Sequence, residues 1–198
     1  MVERQVLVVG AGGIGSWLIQ ELFLLFDRNQ VLDCFFSVAD DDTIDIRNLL
    51  AQNFSEDDLF DYKVEVLATK FPILLPIKEK IITEEQLQKY ECILCCVDST
   101  EFRKLLFTVW NKNRNFYFID LRAEGRNIGF LTANKKWSLE KLLETLPKEE
   151  SKRGCQREED LQKGVVELGN KIIASIGSQL FLNWHRNKTN IIEFSMRV

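Results

Sequence analysis

VLVVGAGGIGS, residues 6–16, joins a short apolar run to three glycines spaced G-x-G-x-x-G, at Gly10, Gly12 and Gly15. Consecutive aliphatic residues with no polar alternation predict a strand covered on both faces. The glycines then allow a tight turn into a helix, and they let a phosphate approach the backbone N–H groups at its start. A tight strand–helix turn with no ligand would use the same residues, so the glycines alone leave the ligand open.

Working outward, short apolar runs alternate with helical-period segments, the pattern of βαβ units. Strands are predicted over 5–10, 33–40, 78–83 and 91–98, with two adjacent strands over 115–125 and 126–134 joined near Gly125. Helices are predicted over 14–26, 58–71 and 100–112, the last opened by Thr100 as N-cap. From 134 to 160 the composition turns charged and reads as a solvated crossover loop, succeeded by a return helix over 161–187 and a final strand over 190–198. The expected architecture is α/β: a Rossmann-like, mostly parallel sheet with helices on both faces, extended by antiparallel C-terminal strands, in a single domain over 1–198.

The chain has 198 residues, 45% hydrophobic and 28% charged, an ordinary balance for a globular domain. Its 26 basic and 30 acidic residues give a net charge of -4, and no block of Lys and Arg stands out, so no nucleic-acid partner is expected. No run approaches the roughly 18 apolar residues of a membrane span, and no signal peptide is legible. The five cysteines, Cys34, Cys92, Cys95, Cys96 and Cys155, are odd in number and lack framework spacing. They read as free thiols, which fits a cytoplasmic location.

The residues after the second strand narrow the ligand. A dinucleotide site needs one acid to hold ribose hydroxyls, and Asp40 stands where it is needed. The chain continues ADDDTIDIRNLLAQNF, however, and three successive carboxylates would repel a pyrophosphate unless some face away or a cation intervenes. GAGGIGS, then D-x-D-T-I-D, then N-L-x-x-Q, then a lysine in the next helix, then CVDS after an apolar strand together resemble the ThiF/MoeB/HesA group. These are adenylating relatives of the ubiquitin-activating enzymes. The resemblance covers about residues 4–133 and extends more loosely to the closing helix.

The resemblance implies a ligand, a reaction and a set of roles. The ligand is ATP with Mg2+, and the reaction is adenylation of a carboxylate, such as the C-terminus of a ubiquitin-like protein or peptide, with release of pyrophosphate. By the same resemblance, Gly10, Gly12, Gly13 and Gly15 form the nucleotide turn, and Asp40, with Asp42 behind it, grips the ribose. Asn48 and Gln52 lie by the phosphates, Lys63 neutralises them, and Asp98 coordinates magnesium. A homodimer is implied as well. Read without the resemblance, Asp42 could cap a turn, Lys63 could be a solvated surface residue, and Asp98 could belong to ordinary helix N-terminal chemistry.

Two departures matter. The family's N-L-x-R-Q carries an arginine where this chain has Ala51, with Arg47, Arg122 and Arg126 as possible replacements. Many relatives also carry two C-x-x-C pairs that hold zinc, whereas here one such pair, Cys92 and Cys95, lies on an apolar strand, so core positions and no zinc are expected. Cys155, between Arg153 and Arg157, is either a thiolate nucleophile or an exposed residue without function. His185, the only histidine, reads as a packing or surface residue. Three functions are open on the sequence: an adenylyltransferase, a nucleotide-binding interaction module that has lost turnover with the arginine, and a nicotinamide-dependent oxidoreductase supported only by the turn and Asp40.

Overall fold

The computed structural model describes residues 3–147 and 167–198. Seven strands form one sheet: β1 (Arg4–Val9), β2 (Cys34–Ala39), β3 (Leu74–Ile77), β4 (Cys92–Cys95), β5 (Tyr117–Glu124), β6 (Asn127–Thr132) and β7 (Glu193–Arg197). Their spatial order is β3-β2-β1-β4-β5-β6-β7, parallel from β3 to β5 and antiparallel across β6 and β7. The helices are α1 (Gly15–Asp27), α2 (Lys63–Lys70), α3 (Thr100–Asn113), α4 (Leu139–Glu144) and α5 (Gly169–His185). This is the expected doubly wound sheet with antiparallel C-terminal strands.

The unbroken apolar runs are explained by two cores, one on each face. Along β1, Val6 and Val8 pack into the core that holds α1 and α5, while Leu7 and Val9 enter the core built with α3 and α4. Along β4 the split repeats, with Cys92 on the first side and Cys95 on the second. The thiols of that C-x-x-C therefore point to opposite faces.

Several boundaries differ from the sequence reading, each for a physical reason. The helix expected from 58 begins at Lys63, because Glu56–Asp58 closes into a 3-10 turn and Phe60 takes φ 73°, which an α-helix cannot continue through. The strand expected over 78–83 lies earlier, at Leu74–Ile77. β2 ends at Ala39 opposite Ile77, so the chain beyond has no neighbour to pair with, and Pro76 is tolerated on this edge strand. The N-cap of α3 is Ser99 and not Thr100: its Oγ accepts from Phe102 N at 3.2 Å. Within the stretch read as a charged loop, α4 forms because Leu142 and Leu146 bury against the α3 side. The rest of that stretch, 148–160, and the first residues of the expected return helix lie outside the described residues.

Candidate active site

The chain runs from β1 to β2 and β3 on one side, then crosses to β4 and β5 on the other. That reversal opens a crevice at the carboxyl ends of β1 and β4, where ligands bind in open α/β sheets. A cleft of about 1040 Å³ occupies it. Gly10 turns out of β1 at φ 95°, and a Cβ there would sit 2.8 Å from Val97 Cγ1. At Gly15 a Cβ would collide with the Gly10 carbonyl oxygen, so the helix could not start so close to the strand. Gly10, Gly12 and Gly13 line the cleft, while Gly15 packs beneath it. The N-cap of α1, Ile14, supplies no side-chain acceptor, which leaves the helix start available to an anion.

Asp40 leaves β2 beside this turn. Its Oδ2 accepts from Ala11 N at 2.7 Å and its Oδ1 from Asp42 N at 2.9 Å. Burial raises its carboxyl above the ordinary range, against the opposing pull of the Lys63 ammonium and the two amides. The three successive carboxylates are not left bare. Asp42 Oδ2 meets Lys63 Nζ at 2.7 Å, and Asp41 Oδ2 lies 3.5 Å from Lys80 Nζ.

Lys63 is 5% exposed, so the surface-lysine alternative is corrected. A cation in the first residue of a helix opposes the helix dipole, and the Asp42 partner offsets that. Oxygens of Asp40, Asp41 and Asp42 lie within 4.8 Å of one another, a second place where a cation could sit besides Asp98. Asp98 is an exposed carboxylate in the same cleft, the hard oxygen donor that magnesium prefers.

The segment that carries Arg47, Asn48, Ala51 and Gln52 lines the cleft, closed on itself at Asp45 and tied onto α1 at Ala51 and Asn53. Asp45 N donates to Asn48 Oδ1 at 2.9 Å, Trp17 Nε1 to Ala51 O at 3.1 Å, and Asn53 N to Ser16 Oγ at 3.0 Å. Gln52 Nε2 comes beside Gly12 of the nucleotide turn, Asn48 and Ala51 line the same cleft, and Arg47 lines it while paired with Asp45 at 3.2 Å. The other two arginines proposed as replacements are elsewhere. Arg122 binds Asp120 and Thr145, and Arg126 donates to the Val198 carbonyl. Cys155 lies outside the described residues. Burial pushes the Cys34 thiol up to about 12 and raises Cys92 and Cys95 as well, so none of these three is a thiolate at neutral pH. His185 packs at the other end of the sheet, with Nε2 2.7 Å from Asp33 Oδ1.

Two features were missed in the sequence. Asp120, fully buried on β5, accepts from Arg103 Nε at 2.9 Å and Arg122 Nη2 at 2.7 Å, and Arg103 Nη1 donates to the Asp98 carbonyl at 3.3 Å. Burial alone would raise Asp120, but the two guanidinium groups overrule it and hold the carboxyl below its ordinary range. An acid inside the apolar run FYFIDL was the available signal. Asn170, buried in the wall of the cleft, had no comparable signal in its helix.

The profile of the ThiF family matches residues 1–194. Among curated proteins, the chain is similar to the NEDD8-activating enzyme E1 catalytic subunit of Schizosaccharomyces pombe. The two are 32% identical over 113 residues, which is 52% of this chain and 24% of that protein. The chain thus spans about a quarter of that relative's length. Among solved structures, it is similar to E. coli MccB with ATP, at 16% identity and a TM-score of 0.64, covering 99% of this chain and 64% of that one. MccB with AMPCPP and selenomethionyl MccA gives a TM-score of 0.66 at 16% identity, covering 98% and 63%. At this identity the structural likeness shows the fold.

Proposed function

The chain belongs to the ThiF family, and from that premise we propose that it is an ATP-dependent adenylyltransferase acting on a carboxylate, the C-terminus of a ubiquitin-like protein or peptide. The observation that carries this reading is the convergence of Gly12, Asp40, Gln52, Lys63 and Asp98, scattered along the sequence, on one cleft.

In this reading the amides of the glycine turn and the start of α1 hold the phosphates, and Asp40 accepts from the ribose hydroxyls. A carboxylate oxygen of the substrate attacks the α-phosphorus, the bond to the bridging oxygen breaks, and pyrophosphate leaves with the electron pair. Acyl-AMP remains. Lys63, held by Asp42, and the side chains of Asn48 and Gln52 stabilise the charge that builds on the departing group. Magnesium, bound at Asp98, would supply further charge neutralisation there. Arg47 is the cation nearest in sequence to Ala51 and takes the place of the motif arginine. Cys155 is a candidate acceptor for the acyl group. We further propose a homodimer, in keeping with the apolar outer face of α5, where Leu168 is 62% and Ile172 37% exposed. No helix among the described residues is long and apolar enough to cross a membrane.

A second reading is favoured by Ala51: a module that binds nucleotide and docks partners without turnover. Pyrophosphate–ATP exchange in the presence of carboxyl-terminal peptides separates the two. Exchange dependent on peptide and magnesium supports the enzyme. Stabilisation by ATP, about 2.7 kcal/mol at a hundred times Kd, with no exchange for any peptide, supports the module. Stabilisation by NAD in place of ATP overturns both.

A further inference from the structure

We propose that the first turn of α5, through Asn170, forms a phosphate-holding element of the cleft that the glycine turn also lines, and takes the terminal β- and γ-phosphates of the nucleotide. This deepens the adenylation reading and rests on it.

Asn170 is 2% exposed and lines the cleft, yet among the described residues neither Nδ2 nor Oδ1 has a hydrogen-bond partner. Buried carboxamides are rarely left so, because both groups lose water without compensation. A partner that arrives with the ligand resolves the anomaly.

The backbone around it favours an anion. α5 runs for 17 residues, and its N-cap, Leu168, brings no side-chain acceptor to the first-turn amides. The partial positive charge of a long helix is therefore concentrated in the turn that carries Asn170. Lys171 comes directly after it.

Gln52 completes the site. Its Oε1 is also buried without a partner among the described residues, and its Nε2 lies 3.9 Å from where a Cβ on Gly12 would stand, beside the nucleotide turn. Trp17 links the two segments that carry these carboxamides. Its indole N–H donates to Ala51 O, one residue from Gln52, and its ring lies 4.1 Å from the ammonium of Lys171, one residue from Asn170. Asn170 and Gln52 thus line one cleft with the glycine turn that would place phosphates, on segments that meet at Trp17. Nδ2 of Asn170 donates to a phosphate oxygen, and the two amide oxygens accept from water that hydrates the phosphates. Ala51, where the family motif has a charged side chain, lines the same cleft and contributes none. The helix terminus and the neutral amide supply positive character there.

The test uses thermal unfolding of the full chain with magnesium plus ATP, with AMP, and with inorganic pyrophosphate, on wild type, Asn170→Leu and Asn170→Asp. The proposal expects wild type to bind ATP more tightly than AMP. Asn170→Leu should weaken ATP and pyrophosphate by about tenfold while leaving AMP unchanged. Asn170→Asp, which sets a carboxylate against the phosphates, should weaken them further. An ATP-to-AMP ratio equal to wild type in both variants overturns the proposal, as does an equal loss for ATP and AMP, which would mark Asn170 as structural. If Asn170→Leu does not fold, Asn170→Ser reads the same ratio. Wild type that responds to neither ATP nor AMP overturns the adenylation reading itself, an outcome distinct from a failure confined to Asn170.

Discussion

Asp120 and Asp40 stand at the same level of one sheet: Ala39, Val9, Cys95 and Asp120 pair across four parallel strands in a single transverse row, and Asp40 is the residue after Ala39. Their environments diverge. Asp120 is enclosed between two arginines, and its carboxyl is held low. Asp40 opens on the cleft with two backbone amides and a lysine at one remove, and burial pushes its carboxyl up. A carboxylate whose partners are all supplied by the protein braces the structure. One that burial has partly stripped of water, with oxygens still able to accept, is poised for a ligand.

The comparison breaks most visibly at Asp120. Asp120→Asn keeps the volume but leaves two guanidinium groups facing a neutral amide in the interior. We expect a stability loss of about 3–5 kcal/mol in denaturant unfolding. A loss under about 1 kcal/mol would show that the cluster does not brace the sheet. Because Arg103 also holds the Asp98 carbonyl, the same variant should disturb the turn that carries Asp98.

Lys63→Met tests the open side. Met fills similar space, and the Asp42 left behind is largely exposed, so folding stability should change little. ATP affinity should fall by roughly 1.5–3 kcal/mol, the worth of a charged hydrogen bond, in a titration of the variant against wild type. Unchanged ATP affinity would remove Lys63 from the site.

The smallest expected effect sharpens the contrast through pH. The folded-state value of Asp40 is raised, so its contribution to stability is present at low pH and is lost as pH rises through that value. Asp120 has the opposite sign: its contribution is present above the ordinary carboxylate range and is lost as pH falls through its lowered value. Ribose hydroxyls bind the ionised form of Asp40. Nucleotide binding should therefore strengthen with rising pH between the ordinary and the raised value, and it should release protons there. Calorimetry in buffers of different ionisation heat measures this, and proton uptake on binding would contradict it.

Much of this was legible from local pattern. The run VLVVG and its glycines set a buried strand, a turn and a helix, because period and turn chemistry act over a few residues. The glycine turn, Asp40, Gln52 and Asp98 were recognisable as types in order. The strand at 74–77 was not: KEKIIT looked the better strand, and where β2 ended decided otherwise. Ser99 took the cap from its neighbour Thr100 by geometry that two adjacent hydroxyls do not reveal in sequence.

By itself, the sequence determined the alternation of strands and helices, the position of the glycine turn, and the stock of carboxylates, lysine and amides near it. Only the tertiary structure decided which charges meet. It set Lys63 on Asp42, enclosed Asp120 between Arg103 and Arg122, kept Arg122 and Arg126 out of the cleft, and brought Asn170 into the cleft that Gln52 lines. The physical reason is one of range. Periodicity and capping are properties of neighbouring residues, whereas the pairing of buried polar groups depends on how distant segments pack.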